Sequence, residues 1–94
     1  MRVIWAESAR RDLAAIGAYI ARDNPRAAGR MRRALLKAGG SLVDFPNRGR
    51  TGRHRHTREL VVAGTPYIIA YTVRGETVGI LRVLHGEQRW PEEL

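Results

Sequence analysis

The 94-residue sequence contains no cysteine, one phenylalanine and one lysine, and each scarcity narrows the class of protein. Without cysteine, neither a disulfide framework nor a thiolate metal site can stabilise the chain, so its small core depends on apolar packing. No stretch approaches the roughly 18 apolar residues that a membrane span requires. The amino terminus, Met1 to Trp5 followed by Glu7, leaves no room for the apolar region of a signal peptide. We therefore expect a single cytoplasmic domain over residues 1–94, neither secreted nor inserted in a membrane.

Acidic residues are also few, because nine Asp and Glu stand against seventeen Lys and Arg, for a formal net charge of +8. Sixteen of the basic residues are arginine, whose planar guanidinium binds phosphate or carboxylate through paired hydrogen bonds. The excess predicts a polyanion or an acidic protein as partner and does not choose between them. A GC-rich coding bias would produce the same preference for arginine over lysine.

Two helices are predicted after a short β-prone run at Arg2 to Trp5. The first begins near Glu7 or Ser8, ends near Asp23 and has an apolar stripe at helical spacing, formed by Ala9, Leu13, Ile16 and Ile20. Asn24 followed by Pro25 predicts the start of a second helix. Its stripe consists of Ala28, Met31, Leu35, Ala38 and Leu42. The short connection predicts an antiparallel helix hairpin.

The second half of the chain predicts a loop followed by three antiparallel strands. The loop covers Pro46 to Thr57, and the strands are Arg58 to Val62, Tyr67 to Val73 and Thr77 to His85. The middle run is apolar on both alternating faces, so we expect it to be the central strand. The helix hairpin can cover only one face of the sheet, and we expect a partner to cover the other.

These elements define the fold class as α+β. The order is β-α-α-β-β-β, with an antiparallel helix hairpin packed on a small, mainly antiparallel sheet. The sequence contains no internal repeat, linker or second domain.

The segment from Arg48 to Arg58 is the most basic part of the chain. It contains five arginines and no acidic residue, and it therefore predicts an anion-binding loop; the alternative is a solvated, mobile loop. The arginines are Arg48, Arg50, Arg53, Arg55 and Arg58. His54 and His56 lie two residues apart without a third ligand at the spacing of a zinc site, so no metal is expected.

Charged or aromatic side chains near the carboxyl terminus are further candidates. Arg82 lies inside the last strand, and we expect it to join Arg58 on the uncovered face as an anion site; the alternative is an ion pair with Glu59 or Glu76. His85 ends that strand and is a candidate acid or base, or simply a hydrogen-bonded strand-end residue. Trp90 is predicted to cover the sheet or to contact another chain.

The order of elements, together with four local strings, resembles the RelE/ParE superfamily of bacterial type II toxins, and within it the ParE branch. The strings are "DLAAIGAYIARDNPRAA", "FPNRGR", "TRELVVAGTPYIIAYTV" and "ILRVLHGEQRW", and the resemblance runs the length of the chain. It implies a toxin encoded beside a ParD-like antitoxin, which has a ribbon-helix-helix half and a carboxyl-terminal segment that wraps the toxin. It further implies a toxin–antitoxin hetero-oligomer that reaches operator DNA only through the antitoxin, with no cofactor.

The superfamily contains two mechanisms. RelE-like members cleave messenger RNA on the ribosome, and by resemblance Arg58 and Arg82 occupy the positions of their phosphate-binding strand arginines. His85 would then be the third candidate catalytic residue. The loop, however, has no Lys or Glu where the base would lie, and Trp90 stands where the nucleases commonly have tyrosine.

ParE-like members inhibit DNA gyrase, which needs a binding surface and no catalytic set. We therefore expect a gyrase inhibitor, with a ribosome-dependent endoribonuclease as the alternative. A plain DNA-binding module is the third hypothesis, and neither helix shows the base-reading polar residues that it would need. The residues predicted to bind partners are Arg48, Arg50, Arg53, Arg55, Arg58, Ile68, Arg82 and Trp90.

Overall fold

The computed structural model describes residues 1–94 as a two-helix layer on one face of a five-stranded sheet. The helices are α1 (Glu7–Ala21) and α2 (Pro25–Gly40), and a 3₁₀ turn (Ser41–Val43) follows α2. The strands are β1 (Arg2–Trp5), β2 (Arg50–Thr51), β3 (Arg58–Val61), β4 (Tyr67–Arg74) and β5 (Thr77–His85). The predicted β-α-α-β-β-β order is confirmed, and β2 is an additional two-residue strand within the predicted loop.

The start of α2 follows the predicted capping chemistry. The Asn24 side chain accepts a hydrogen bond from the Ala27 amide at 3.0 Å, and Pro25 occupies the first turn. Helix α1 begins at Glu7, as predicted, which places a negative charge in its first turn, but its N-cap is Ala6 and makes no side-chain cap. Helix α1 also ends at Ala21, two residues before the predicted end at Asp23.

The sheet is mainly antiparallel, as predicted, with the order β1-β5-β4-β3-β2. Strand β4 is central, and only β1 and β5 run parallel. The pairing of β4 with β5 shifts between Ala70, which faces Arg82, and Tyr71, which faces Ile80. Leu81 is therefore an extra residue on β5, a β-bulge at the point where β1 no longer pairs with this strand.

The main core lies between the helices and one face of the sheet. Its most buried members include Leu35 of α2, Ile69 and Tyr71 of β4, and Ile80 of β5. Among the predicted stripe residues, Leu13 and Leu42 are also buried, whereas Ile16, Met31 and Ala38 pack at its margin. None of the helices combines the length and the apolar character needed to span a membrane.

The opposite face of the sheet is also covered in the free chain. Ile68, Ala70 and Leu84 lie on this face and are 6%, 0% and 2% exposed. The expectation that a partner covers this face is therefore wrong, because segments of the chain itself cover it. The loop after β2 and the segment after β5 provide its cover, as the site geometry shows.

Candidate functional site

Glu59 organises the arginine-rich loop. Its side chain is only 2% exposed and accepts hydrogen bonds from the Arg50 guanidinium (3.0 Å), the Arg53 amide (2.7 Å) and the Arg53 guanidinium (3.1 Å). Burial raises the pKa of Glu59, but the bonds from Arg53 and Arg50 outweigh it and hold the pKa below its ordinary value of 4.5. Glu59 therefore engages two of the five loop arginines.

Arg53 also binds the carboxyl-terminal segment through Trp90. The Arg53 guanidinium carbon lies 3.6 Å from the centre of the Trp90 ring, a cation–π contact. The His54 ring stacks on the same indole with 6.4 Å between centroids, and the indole N–H donates to the His85 carbonyl at 3.2 Å. Trp90 thus links the loop to the end of β5.

His54 fixes the last residues of the chain. Its Nε2 lies 2.9 Å from the Pro91 carbonyl oxygen and 3.0 Å from the Glu92 carbonyl oxygen. Because both partners are acceptors, this nitrogen carries the proton. We call residues 86–94 the tail, and Arg53, His54 and Trp90 the tail clamp.

The tail clamp lies on the sheet face opposite the helices. Glu59 pairs in register with Ala70, so its side chain points to this face. Arg53 contacts Glu59, and Trp90 in turn contacts Arg53. At the start of the tail, the Gly86 amide donates to the Pro66 carbonyl at 2.8 Å, and a Cβ on Gly86 would crowd Ile68. Of the two roles predicted for Trp90, the structure shows the cover over the sheet.

Arg82 forms the most closely paired ion pair of the chain. Its Nε and Nη2 donate to the two carboxylate oxygens of Asp12 on α1, at 2.7 and 3.0 Å. The hydrogen bonds that Arg82 donates to Asp12 raise the pKa of Arg82 above its ordinary value, against the opposing effect of burial. The alternative of an ion pair is therefore correct in kind, but its partner is Asp12, not Glu59 or Glu76.

Asp12 and Ser8 hydrogen-bond backbone groups along the part of the β5 edge that β1 leaves unpaired. Asp12 accepts a hydrogen bond from the Val83 amide at 2.8 Å, and the Ser8 hydroxyl donates to the Leu81 carbonyl at 2.8 Å. Ser8 and Asp12 lie one helical turn apart, on the side of α1 that meets this edge. Sequence reasoning missed Asp12. The available signal was the polar pair Ser8 and Asp12 at i, i+4, in a helix predicted to pack on a sheet that carries an arginine inside its last strand.

Arg58 does not share a face with Arg82, contrary to the sequence-based expectation. Arg58 pairs with Tyr71 and Arg82 with Ala70, and these neighbours on β4 point to opposite sides of the sheet. The Arg58 Nη1 donates to the Gly49 carbonyl at 2.7 Å. The Tyr71 hydroxyl holds the same turn by donating to the Pro46 carbonyl and accepting from the Gly49 amide, both at 2.8 Å.

His85 lies apart from both strand arginines. It pairs with Tyr67, four residues along β4 from the partner of Arg58, or about 13 Å at 3.3 Å per residue. Its Nδ1 accepts a hydrogen bond from the Glu87 amide at 3.1 Å. The three residues proposed for a nuclease are therefore not brought together.

The remaining predicted residues lie on the surface or are buried on the sheet face opposite the helices. Arg48 donates to the Ser41 hydroxyl at 3.2 Å, and Arg55 and His56 are exposed. Ile68 is buried, so a partner could contact it only after displacing its cover. No group of three or more His, Asp or Glu side chains with the arrangement of a metal site occurs in the chain.

A groove runs between α2 and the outer edge of β3. It has a volume of about 380 Å³ and is lined mainly by apolar side chains, among them Ala38, Leu60 and Val62, with Lys37 and Arg48 at its margin. Strand β2 pairs only with Arg58 and Glu59, which leaves the outer edge of β3 unpaired beyond them. Val61 at this edge is 52% exposed, and Phe45 is 62% exposed.

Comparison with known proteins matches almost the whole chain to one family and one fold. A family model described as "ParE toxin of type II toxin-antitoxin system, parDE" matches residues 3–90. A solved structure titled "Chromosomal ParDE TA system from P. aeruginosa" superposes with a TM-score of 0.81 at 25% identity, covering 90% of this chain and 95% of that chain.

The similar curated proteins are also toxins. "Putative toxin Y4kP" of Sinorhizobium fredii is 45% identical over 93 residues, which cover 99% of this chain and 96% of that protein. "Toxin RelE2" of Caulobacter vibrioides is 43% identical over 84 residues, covering 89% and 93%. "Toxin RelE1" of the same organism is 34% identical over 90 residues, covering 93% and 96%. With this fold and these matches, the chain belongs to the ParE toxin family of type II toxin–antitoxin systems.

Proposed function

We propose that this ParE-family toxin acts in the cytoplasm by inhibiting DNA gyrase. The observation that carries the proposal is the dispersal of the groups a ribonuclease would need. Arg82 is paired with Asp12, Arg58 bonds a backbone carbonyl on the other face, and His85 lies about 13 Å along β4 from the Arg58 position. A nuclease must aim such donors at one phosphate, whereas an inhibitor needs only a binding surface.

The surface we propose for gyrase is the outer side of the tail clamp and the tail. Arg53, Arg55 and Arg89 are exposed there, and Trp90 is partly exposed. Tryptophan and arginine carry most of the binding energy at protein interfaces. The clamp holds Arg53 and Trp90 in place before binding, which lowers the ordering cost of association.

A pair of assays separates gyrase from the ribosome as target. We expect the purified toxin to block supercoiling by gyrase and to leave ribosome-bound messenger RNA uncut, with DNA-damage signalling in intoxicated cells. Arg82→Ala and Arg58→Ala test the alternative, since loss of a positioned donor to a transition state lowers cleavage about a hundredfold or more. Unimpaired supercoiling in excess toxin, with messenger RNA cuts that vanish in Arg82→Ala, would replace this proposal with the RelE-type mechanism.

We further propose that a ParD-like antitoxin binds the groove between α2 and β3 in a toxin–antitoxin hetero-oligomer. The solved relative is titled a ParDE system, and the groove offers apolar walls, an unpaired strand edge and two basic side chains at its rim. An acidic, amphipathic segment is complementary to these features and to the net charge of +8. Operator DNA is reached through the antitoxin.

Val61→Glu tests this placement because it puts a charge at the unpaired edge of β3, at a groove-lining residue that is 52% exposed in the free toxin. We expect co-purification with the antitoxin to fall by at least about tenfold, as a charge buried without a partner disrupts an interface. Tyr19→Glu, at a 70% exposed position on α1, is the control and should bind normally. Equal binding by both variants would exclude the groove.

A further inference from the structure

The solvent face of α2 carries a row of basic residues. Arg26, Arg30, Arg33 and Lys37 follow one another at spacings of four, three and four, and all are exposed. At 100° per residue they lie on the side of the helix opposite the buried Leu35. The row is about 16 Å long at 1.5 Å per residue. We call these four residues the α2 basic row.

Nothing in the chain neutralises this row. Helix α2 contains no acidic residue, and the ion pairs of the chain all involve other basic groups. Like charges at i, i+3 and i, i+4 repel one another, and Arg26 in the first turn opposes the helix dipole. The arrangement weakens the helix in the free chain, and an anion lying along the row would relieve the repulsion.

The composition of the face favours nucleic acid over a protein. The exposed large apolar side chains of the chain all lie outside α2, so the row lacks the apolar centre of a protein interface. A phosphate backbone requires only cationic donors at regular intervals, and arginine donates to phosphate through two hydrogen bonds. The row supplies such donors and little else.

The same composition points to duplex DNA bound without sequence preference. Helix α2 has no aromatic residue on which unpaired bases could stack and no Ser, Thr, Asn or Gln to reach base edges or ribose 2′-hydroxyls. We propose that the α2 basic row binds the phosphate backbone of duplex DNA. This contact is additional to any made through the antitoxin, and it does not depend on gyrase being the target.

The test measures binding of the purified full chain to a fluorescein-labelled duplex of about 30 base pairs by fluorescence anisotropy, from about 50 to 200 mM KCl. Arg26→Gln/Arg30→Gln/Arg33→Gln should weaken binding at least about tenfold. It should also reduce the slope of log affinity against log salt by about 2.7, or about 0.9 for each phosphate contact. Lys37 stays unchanged because it also borders the antitoxin groove.

The matched control is Arg2→Gln/Arg74→Gln/Arg89→Gln. These exposed residues lie outside the helix layer, and both triple variants lower the net charge from +8 to +5. We expect the control to lose less than about threefold in affinity, and a triple Arg→Lys variant of the row to retain the salt slope. Equal losses in both Gln variants, or no salt-dependent DNA binding by the unaltered chain, would overturn the proposal. If poly-glutamate displaced the duplex as well as unlabelled DNA does, and if its own binding fell equally in the row variant, the row would be assigned to an acidic protein instead. The gyrase proposal is tested separately, by supercoiling assays.

Discussion

Asp12 and Glu59 are the two carboxylates that engage the predicted partner-binding arginines. Asp12 engages Arg82 from α1, and Glu59 engages Arg50 and Arg53 from β3. Each carboxylate is largely buried, and each also accepts a backbone amide hydrogen bond. Three of the predicted partner-binding arginines therefore stabilise the fold as well, and substituting them tests two roles at once.

Removing the Asp12 carboxylate should cost substantial stability. Asp12→Ala leaves Arg82 unpaired with its side chain only 23% exposed, and it leaves the Val83 amide without an acceptor. We expect the free energy of unfolding to fall by about 3 kcal/mol, the lower end for a broken buried pair. Denaturant unfolding measures the loss.

The control for this prediction is Glu7→Gln, which breaks the exposed pair with Arg11 on the same helix. It should change stability by less than about 0.5 kcal/mol. A similar small effect of Asp12→Ala would mean that the pair with Arg82 contributes nothing beyond a surface contact.

Glu59 should make stability depend on pH in the acid range. Its pKa in the folded chain lies below the ordinary 4.5, so the unfolded chain binds its proton first as pH falls. Stability from this group is complete above about pH 4.5 and is lost as pH drops through the lower, folded pKa. Urea unfolding as a function of pH should therefore show a steeper acid loss in the unaltered chain than in Glu59→Gln. Glu76→Gln, at a side chain 90% exposed, should leave the pH profile unchanged, and parallel profiles for all three proteins would contradict the prediction.

At the scale of elements, α1 packs into the core on one side and hydrogen-bonds the edge of β5 on another. Its apolar side packs Leu13 into the core, and Ser8 and Asp12 hydrogen-bond the edge of β5 beyond the end of β1. Helix α2 contributes Leu35 to the same core and leaves its basic row in solvent. Each helix therefore has one side that packs in the core and another that carries polar or charged side chains.

Leu35→Ala should nearly unfold the domain. Leu35 is 1% exposed, so truncation leaves a cavity between α2 and the sheet and should cost about 2 to 5 kcal/mol. A domain of this size has little stability to spare. Ile16→Ala should cost less, about 1 to 2 kcal/mol, because Ile16 is only partly buried. A loss below about 1 kcal/mol for Leu35→Ala, measured by chemical unfolding, would contradict the packing described for α2.

For the whole molecule, the tail clamp joins the loop, the end of β5 and the tail on one side of the sheet, away from the helix layer. The groove for the proposed antitoxin lies between α2 and the edge of β3, and the α2 basic row faces solvent on the helix side. The proposed gyrase, antitoxin and DNA contacts therefore occupy different surfaces, except that Lys37 borders both the groove and the α2 basic row. Variants of one surface should leave the other two functional.

Trp90→Ala, or deletion of the last five residues, should abolish toxicity while antitoxin binding survives. Trp90 stacks on Arg53 and His54, so its loss releases the tail from the loop and disrupts the proposed gyrase surface. Arg58→Ala should act mildly. Growth inhibition after induction measures toxicity, thermal unfolding verifies the fold, and Tyr19→Ala is the aromatic control at a 70% exposed site. Full toxicity of Trp90→Ala with a native unfolding temperature would exclude the tail as the gyrase contact.

Local sequence determined the elements, since periodicity, the Asn24–Pro25 cap and the turn residues depend on neighbours in the chain. The predicted hairpin, the central position of β4 and the bounds of β5 agree with the structure. Only the tertiary structure decided the pairing of charges, because Asp12 and Arg82 are 70 residues apart in sequence. It also decided that Arg58 and Arg82 point to opposite faces, because sheet register sets side-chain direction. Finally, it decided that the tail covers Ile68, because long-range contacts with Arg53 and His54 hold the tail in place.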